Sequence, residues 1–138
     1  MVYIGQSIAV LGRVSQHVKE EVKIFDSYAF VEYDYRELDR VEAFLIGKFD
    51  PEYNATIPPG QGYMSAHQWT RHFQVPPSLI LNFARQTRLM PLKKWYCKDE
   101  MAVFEEFMGF CFGQKWRTSR KRPDFSRMDE QVASFLNR

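Results

Sequence analysis

The most regular alternation of apolar and polar residues lies in the segment 35–49, and its spacing predicts an amphipathic helix. Its apolar stripe contains Val41, Phe44 and Leu45. Asp34, with Glu37 three residues later, is typical of a capping box at a helix start, and Pro51 cannot continue a helix. Glu42 lies among these apolar residues, so its carboxylate either faces solvent or faces a functional site.

The residues before this helix predict a strand, a helix and a second strand. Residues 1–5 and 23–33 are rich in β-branched and aromatic residues, which is typical of strands. Between them, residues 6–21 predict a helix with an apolar stripe of Val10, Val14 and Val18. Arg13 and His17 are also four residues apart, so they are neighbours on one helical face, which is either solvated or part of a site.

A segment rich in proline and glycine, 58–62, is the best candidate for a linker. After it, Ser65 and Gln68 form an S-x-x-Q capping box, which predicts the start of another helix. Residues 74–77 contain two prolines and predict a tight turn, and residues 78–86 predict the next helix. The apolar positions of the two helices are spaced as in a helix-turn-helix.

The C-terminal part of the chain predicts a short wing and two further helices. Residues 88–96 form the candidate β-wing, and Asp99 is the expected cap of a helix at 100–112. Residues 115–122 carry five positive side chains and no negative one. A last amphipathic helix is expected to begin at Ser126.

Composition limits the size of the core and the class of protein. The chain has 138 residues, of which 45% are hydrophobic, enough for one modest core or two small ones. No run is long enough to span a bilayer, and the N-terminus lacks the charged region of a signal peptide. Cys97 and Cys111 have no zinc-site spacing, so we expect two reduced thiols and a cytoplasmic protein without a membrane partner.

Charge is divided unevenly along the chain. The first 60 residues carry six basic and ten acidic side chains, whereas the remaining residues carry thirteen basic and seven acidic ones. An acidic half suits a bound cation, and a basic half suits a polyanion. With the linker, this division suggests two units. The predicted segments are a domain at 1–57, a domain at 63–112, and a basic segment with a C-terminal helix at 113–138.

Residues 2–57 resemble the GIY-YIG nuclease family. Tyr3-Ile4-Gly5 matches the family's YIG tripeptide, and Glu42 opens the E-x-x-L-I segment that carries its metal-binding glutamate. The other matching positions are Arg13, His17 and Asn54. The family's first strand, which bears GIY, should precede YIG by about ten residues and is missing here. The resemblance therefore implies an α+β fold with a small sheet, of which two strands are expected, and flanking helices.

Residues 63–108 resemble, more weakly, the winged helix-turn-helix of phage excisionases. This likeness implies a mainly helical DNA-binding domain, which the C-terminal helix follows. Side chains expected to read bases lie on the second helix of the motif: Ser78, Asn82, Arg85 and Gln86. Side chains expected to bind phosphates are Lys93, Lys94, Lys115, Arg117, Arg120, Lys121 and Arg122.

The two resemblances together predict a sequence-specific DNA endonuclease that uses Mg²⁺ or Mn²⁺. Glu42 would bind the metal, and Arg13 would grip the scissile phosphate. Tyr3 would orient or deprotonate the attacking water, His17 would relay a proton, and Asn54 would fix the geometry. One such site cuts one strand of double-stranded DNA, so a monomer would be a nickase, and a double-strand break would need a homodimer or two events.

Two other functions stay open at this level. A former nuclease can serve as a catalytically inactive DNA-binding protein, such as a repressor or site competitor. The C-terminal helix can instead mediate a protein interaction. The compact design with two modules is typical of a phage or another mobile element.

Overall fold

The chain is described here by a computed structural model, which covers residues 1, 3–20 and 23–138. Contacts divide it into two compact units, Met1–Tyr63 and Met64–Arg138. The division falls next to the proline-rich segment that was expected to be a linker. The described residues form six α-helices and one two-stranded antiparallel sheet, a helix-rich α+β composition as the sequence predicted. No helix in the described part of the chain is long and apolar enough to cross a bilayer.

The first unit contains helices α1 (Val10–Glu20) and α2 (Leu38–Phe49), with a 3₁₀ turn at Tyr35–Glu37 before α2. The Asp34 carboxylate caps this turn by accepting a hydrogen bond from the Arg36 amide, two residues on, whereas a capping box would use the amide three residues on. Asp50 ends α2 in the left-handed conformation, with φ of 44°, directly before Pro51.

The small core of the first unit lies along one side of α2. Ala43, Ile46 and Pro51 are buried there. Gly47 is needed at this position, because a β-carbon would collide with the ring of Tyr63. This packing holds the segment after α2 against the helix, and it brings residues 53–59 near the carboxyl-bearing positions of α2.

The two strands predicted in the first unit are wrong for the described residues. Met1, residues 3–5 and residues 23–33 form no strand, and Val2 of the first predicted strand lies outside the described residues. A strand needs a paired neighbour, and here neither segment has one among the described residues. Helix α1 also begins at Val10 rather than residue 6, and Glu21 at its predicted end lies outside the described part of the chain.

Strand β1 (Tyr63–Ser65) lies at the division between the two units, and α3 (Ala66–Phe73) and α4 (Leu79–Thr87) follow it in the second unit. The capping box is confirmed: the Ser65 hydroxyl accepts from the Gln68 amide at 3.2 Å, and the Gln68 side chain accepts from the Ser65 amide at 2.8 Å. Gln74 ends α3 with φ of 56°, at a position that usually favours glycine.

Strand β2 (Trp95–Cys97) and helix α5 (Lys98–Phe112) follow α4. The predicted wing at 88–96 does not form a hairpin, because β2 pairs with β1 before α3 instead. Asp99 is not the cap of α5. Cys97 occupies that position, and the Glu100 carboxylate accepts a hydrogen bond from its amide at 3.0 Å.

The C-terminal segment belongs to the second unit rather than standing apart from it. A 3₁₀ turn at Trp116–Thr118 is followed by α6 (Met128–Leu136), at whose start Arg127, and not Ser126, stands as the cap residue. Helix α6 packs its Phe135 ring against Phe83 and Phe107. The large, fully buried side chains of this unit include Tyr96, Phe83, Phe104, Phe107, Phe135, Ile80, Met101 and Met108.

Candidate active site and nucleic-acid interface

The first unit has a cleft of about 520 Å³ where its N-terminal residues, α2 and the segment after α2 come together. Three of the five predicted catalytic residues line it: Tyr3, Glu42 and Asn54. The cleft is also lined by Gln6, Asp39, Tyr53 and residues 55–59. Residues that are more than 50 positions apart in the chain therefore face one opening.

Asn54 joins the two ends of this unit. Its side-chain oxygen accepts a hydrogen bond from the Ile4 amide at 2.8 Å, and its side-chain nitrogen donates to the Ile4 carbonyl at 2.7 Å. Asn54 is only 5% exposed, so these bonds are shielded from water. The amide thus holds the backbone of Ile4, and with it the neighbouring Tyr3, at the edge of the cleft.

Tyr3 folds back over Gly5 and meets Arg13. A β-carbon at Gly5 would lie 2.6 Å from the Tyr3 hydroxyl, so only glycine leaves room for the ring. Arg13 on α1 donates from Nη2 to the Tyr3 hydroxyl at 3.3 Å, and this hydrogen bond raises the pKa of the Arg13 guanidinium. The guanidinium is otherwise exposed, so it can also reach an anion in solution.

His17 lies beside Tyr3, with 4.8 Å between the ring centroids and the rings at 70° to each other. It is 6% exposed. Its Nδ1 lies 3.0 Å from the Lys23 ammonium and 3.2 Å from the Glu20 carboxylate, whereas Nε2 is buried and has no hydrogen-bond partner in the described part of the chain. A buried polar group without a partner costs about 1–3 kcal/mol of folding free energy, so stability alone does not favour leaving Nε2 without a hydrogen bond.

Glu42 is half-buried on α2, and this burial raises the pKa of its carboxyl group. A hydrogen bond from Gln6 and the charge of Arg13 act in the opposite direction, and the charge of Asp39 adds to the rise. Gln6 also donates a hydrogen bond to Asp39, so its amide serves both carboxylates. The carboxylate thus faces a partly desolvated site rather than open solvent.

These groups fit a hard divalent cation. Mg²⁺ prefers oxygen donors, takes one or two protein carboxylates and keeps several of its waters. Glu42 and Asp39 provide two carboxylates beside one cleft, and a cation there would offset the cost of burying the Glu42 charge. No cluster of three or more His, Cys, Asp or Glu side chains suited to a metal occurs among the described residues.

Sequence reasoning missed four residues of this site. Asp39 and Glu42 are three apart on one helix, so their spacing was a usable signal. Glu20 likewise follows His17 by three. Gln6 and Lys23 lie outside the helices that they contact, so no local periodicity could have identified them.

Three of the four predicted base-reading residues face the C-terminal segment. Ser78, Asn82 and Gln86 line a cleft of about 440 Å³ whose other wall is formed by residues 125–130. Gln86 donates a hydrogen bond to the Asp129 carboxylate at 2.7 Å. Arg85 is exposed and donates to Asn82 at 3.4 Å. The outer face of α4 is therefore partly covered by α6, because the two helices share the core around Phe83 and Phe135.

The predicted phosphate-binding residues differ in their surroundings. The Lys93 side chain is only 7% exposed and forms an ion pair with Glu100, so the prediction that it binds DNA phosphate does not fit its position. Lys94 is half-buried, with its ammonium 5.4 Å from the centroid of the Trp95 ring. Arg117 pairs with Glu105 and lies over the Phe73 ring. Arg117 is exposed despite these contacts, and the other exposed members of the set are Lys115, Arg120, Lys121 and Arg122.

Comparison of the chain with protein-family models, curated proteins and solved structures found no match. Neither the nuclease nor the DNA-binding resemblance gains support from those comparisons. The function must therefore be inferred from the arrangement of the residues themselves.

Proposed function

We propose that the chain is a DNA endonuclease that depends on a divalent cation and nicks one strand of a duplex. The observation that carries the proposal is the shared cleft of Tyr3, Glu42 and Asn54, with Arg13 bonded to the Tyr3 hydroxyl. In a metal-assisted hydrolysis of a phosphodiester, a carboxylate can hold the cation, a phenol can orient the attacking water, and a guanidinium can neutralise charge on the phosphate.

Each group has a defined task in this reaction. The oxygen of water forms a bond to phosphorus and loses a proton to solvent, the ester P–O bond on the opposite side breaks, and the leaving oxygen takes up a proton from solvent. Tyr3 orients the attacking water through its hydroxyl, to which Arg13 donates a hydrogen bond. Arg13 also neutralises charge on the phosphate. Glu42 and Asp39 would hold Mg²⁺ or Mn²⁺, which supplies Lewis-acid stabilisation of the charge on the phosphate.

The second unit would place this chemistry on double-stranded DNA. Its exposed cations at 115–122 would bind phosphates, and Arg85 on α4 would reach a base edge or a phosphate. Such an enzyme would act in the cytoplasm, as the nuclease of a phage or another mobile element. A homodimer would place two sites on one duplex and would convert nicking into a double-strand break.

Supercoiled plasmid tests the proposal directly. We expect wild type with Mg²⁺ to produce open circles, and Glu42→Ala to lower the rate by at least about 100-fold. Glu32→Ala removes an exposed carboxylate outside the cleft and should leave the rate unchanged. If wild type and Glu42→Ala leave plasmids of varied sequence equally intact, the enzyme proposal is wrong.

A second function, DNA binding without cleavage, is favoured by one observation. The first unit lacks both predicted strands in its described residues, so it has no sheet on which to fix a nuclease site. A repressor or site competitor of this kind would shift a duplex in a gel at low salt and release it steeply as salt rises, with no nicked product. That result separates the two functions.

A further inference from the structure

Lys23 contacts two of the predicted catalytic residues at once. Its ammonium nitrogen lies 4.2 Å from the centroid of the Tyr3 ring and 3.0 Å from Nδ1 of His17. The Lys23 side chain is mostly buried, with 17% exposed, so it is committed to these contacts rather than to solvent. Lysine is rarely buried to this extent unless its charge is compensated.

We propose that Lys23 is a positioning residue of the candidate site, which fixes the ring proton of His17 on Nε2 and holds the Tyr3 ring. Its effect on catalysis rests on the proposed nuclease function, whereas its effect on the His17 proton does not. Lys23 itself touches no reacting atom in this assignment. It acts through Tyr3 and His17.

The contacts at Nδ1 favour one placement of the proton. An ammonium group carries only donors, so at 3.0 Å it needs a lone pair on Nδ1. If Nδ1 carried the proton, its N–H group would point at the ammonium, which cannot accept a hydrogen bond. The Glu20 carboxylate, 3.2 Å from Nδ1, could accept that hydrogen bond instead. The ammonium also lies 3.9 Å from the same carboxylate oxygen, so one cation attracts both the lone pair and the carboxylate. Neutral His17 therefore carries its proton on Nε2.

This placement makes His17 a hydrogen-bond donor rather than a base. Nε2 is buried and has no partner among the described residues, so a donor there lacks an acceptor. His17 was expected to relay a proton, and in this assignment Nδ1 cannot do so while Lys23 donates to it.

The contact with Tyr3 gives Lys23 its second task. A cation near the face of an aromatic ring is attracted by the ring's electron density, and the attraction grows when the pair is shielded from water. Arg13 holds the hydroxyl end of the same ring. Two cations thus restrain Tyr3 at two points, which keeps the phenol oxygen at one place beside the cleft.

Nitrogen NMR of the histidine rings tests the proton placement without any need for activity. In ¹⁵N-labelled protein at pH 8.5, we expect neutral His17 to show its proton on Nε2, with the signals assigned by comparison with His17→Gln. In Lys23→Met, Nδ1 loses its donor and faces Glu20 alone, so the proton should move to Nδ1. Lys23→Arg should keep the His17 proton on Nε2, as in wild type. Lys19→Met changes an exposed residue on α1, the helix that carries His17, and should leave the position of the proton unchanged.

A wild-type spectrum with the proton on Nδ1, or a Lys23→Met spectrum identical to wild type in a protein that still unfolds cooperatively, overturns the assignment. In the plasmid assay, Lys23→Met should lower kcat by about 10–100-fold with little change in KM, and Lys23→Arg should restore most of it. If Lys23→Met nicks as fast as wild type, Lys23 has no positioning role in catalysis. If wild type does not nick, the nuclease function fails, while the NMR result still decides the proton placement.

Discussion

Asn54 forms with the backbone of Ile4 the two hydrogen bonds that a neighbouring strand would otherwise provide. Its side-chain amide satisfies both the N–H and the C=O of Ile4, with bonds of 2.8 and 2.7 Å. An asparagine presents an acceptor and a donor side by side, as a peptide group does, so it can replace a strand partner for one residue. This explains how Tyr3 stays at the cleft although the described N-terminal residues form no sheet.

Glu42 is the residue at which stability and function are expected to conflict. Burial raises the pKa of its carboxyl group in the folded chain above its value in the unfolded chain. The protonated carboxyl therefore stabilises the fold fully below the pKa of the unfolded chain, and this stabilisation is lost as pH rises through the pKa of the folded chain. At pH 7 without divalent cations, Glu42→Gln should therefore be more stable than wild type. The gain should stay below about 1 kcal/mol, because the group is partly exposed and water screens it.

Thermal unfolding with and without Mg²⁺ measures this conflict. At about 100 times its dissociation constant, a ligand stabilises the folded state by about 2.7 kcal/mol, so Mg²⁺ should raise the Tm of wild type. It should not raise that of Glu42→Gln, while Glu32→Gln should respond as wild type does. Equal responses of wild type and Glu42→Gln to Mg²⁺ would show that Glu42 is not a ligand.

At the level of elements, the helices could be predicted from the sequence and the strands could not. Ser65 and Gln68 cap α3 through bonds that span three residues, and Pro51 ends α2 by its own geometry. Pairing of β2 with β1 depends on residues some 30 positions apart, which no local pattern encodes. The same reason applies to the site. Glu42 stood out on its own helix, whereas Lys23 became visible only once the fold placed it against His17.

Helix α5 gives an element-level test through Cys111. Burial raises the pKa of this thiol to about 11 from an ordinary value of 9.0. At pH 8 the folded chain should thus hold about 100-fold less Cys111 thiolate than the unfolded chain, and alkylation by iodoacetamide should be slower in proportion. The rate should rise steeply up to about pH 11. The stability that the protonated thiol provides is present below pH 9 and is lost as pH rises through about 11.

Peptide mapping of the alkylated protein distinguishes Cys111 from Cys97. The urea-unfolded chain serves as the control, because burial no longer acts on the thiol there. A folded chain that alkylates at Cys111 as fast as the unfolded chain at pH 8 would mean that α5 opens readily or that the thiol is not shielded.

At the scale of the whole molecule, the proposed DNA-cleaving function is supported by the uneven distribution of charge along the chain. The first unit places two carboxylates beside one cleft, where a cation would reduce their repulsion of a phosphate. In the second unit, α6 carries Asp129 and Glu130 to the outer face of α4. DNA is a polyanion, so in the proposed function this acidic edge would oppose binding there, and the exposed cations at 115–122 would be the better phosphate contacts.

The salt dependence of DNA binding tests this distribution of roles. Each phosphate contact contributes about −0.9 to the slope of log K against log salt concentration, so replacing Lys115, Arg120, Lys121 or Arg122 singly by alanine should make the slope shallower by about that amount. Arg127→Ala is the matched control, because Arg127 is exposed but paired with Glu130 at the acidic edge. Its slope should equal that of wild type. If Arg127→Ala instead weakens DNA binding as the four variants do, the duplex lies across α4 and α6. Gln86 could then contact a base only if the first turn of α6, which holds it through Asp129, moved aside.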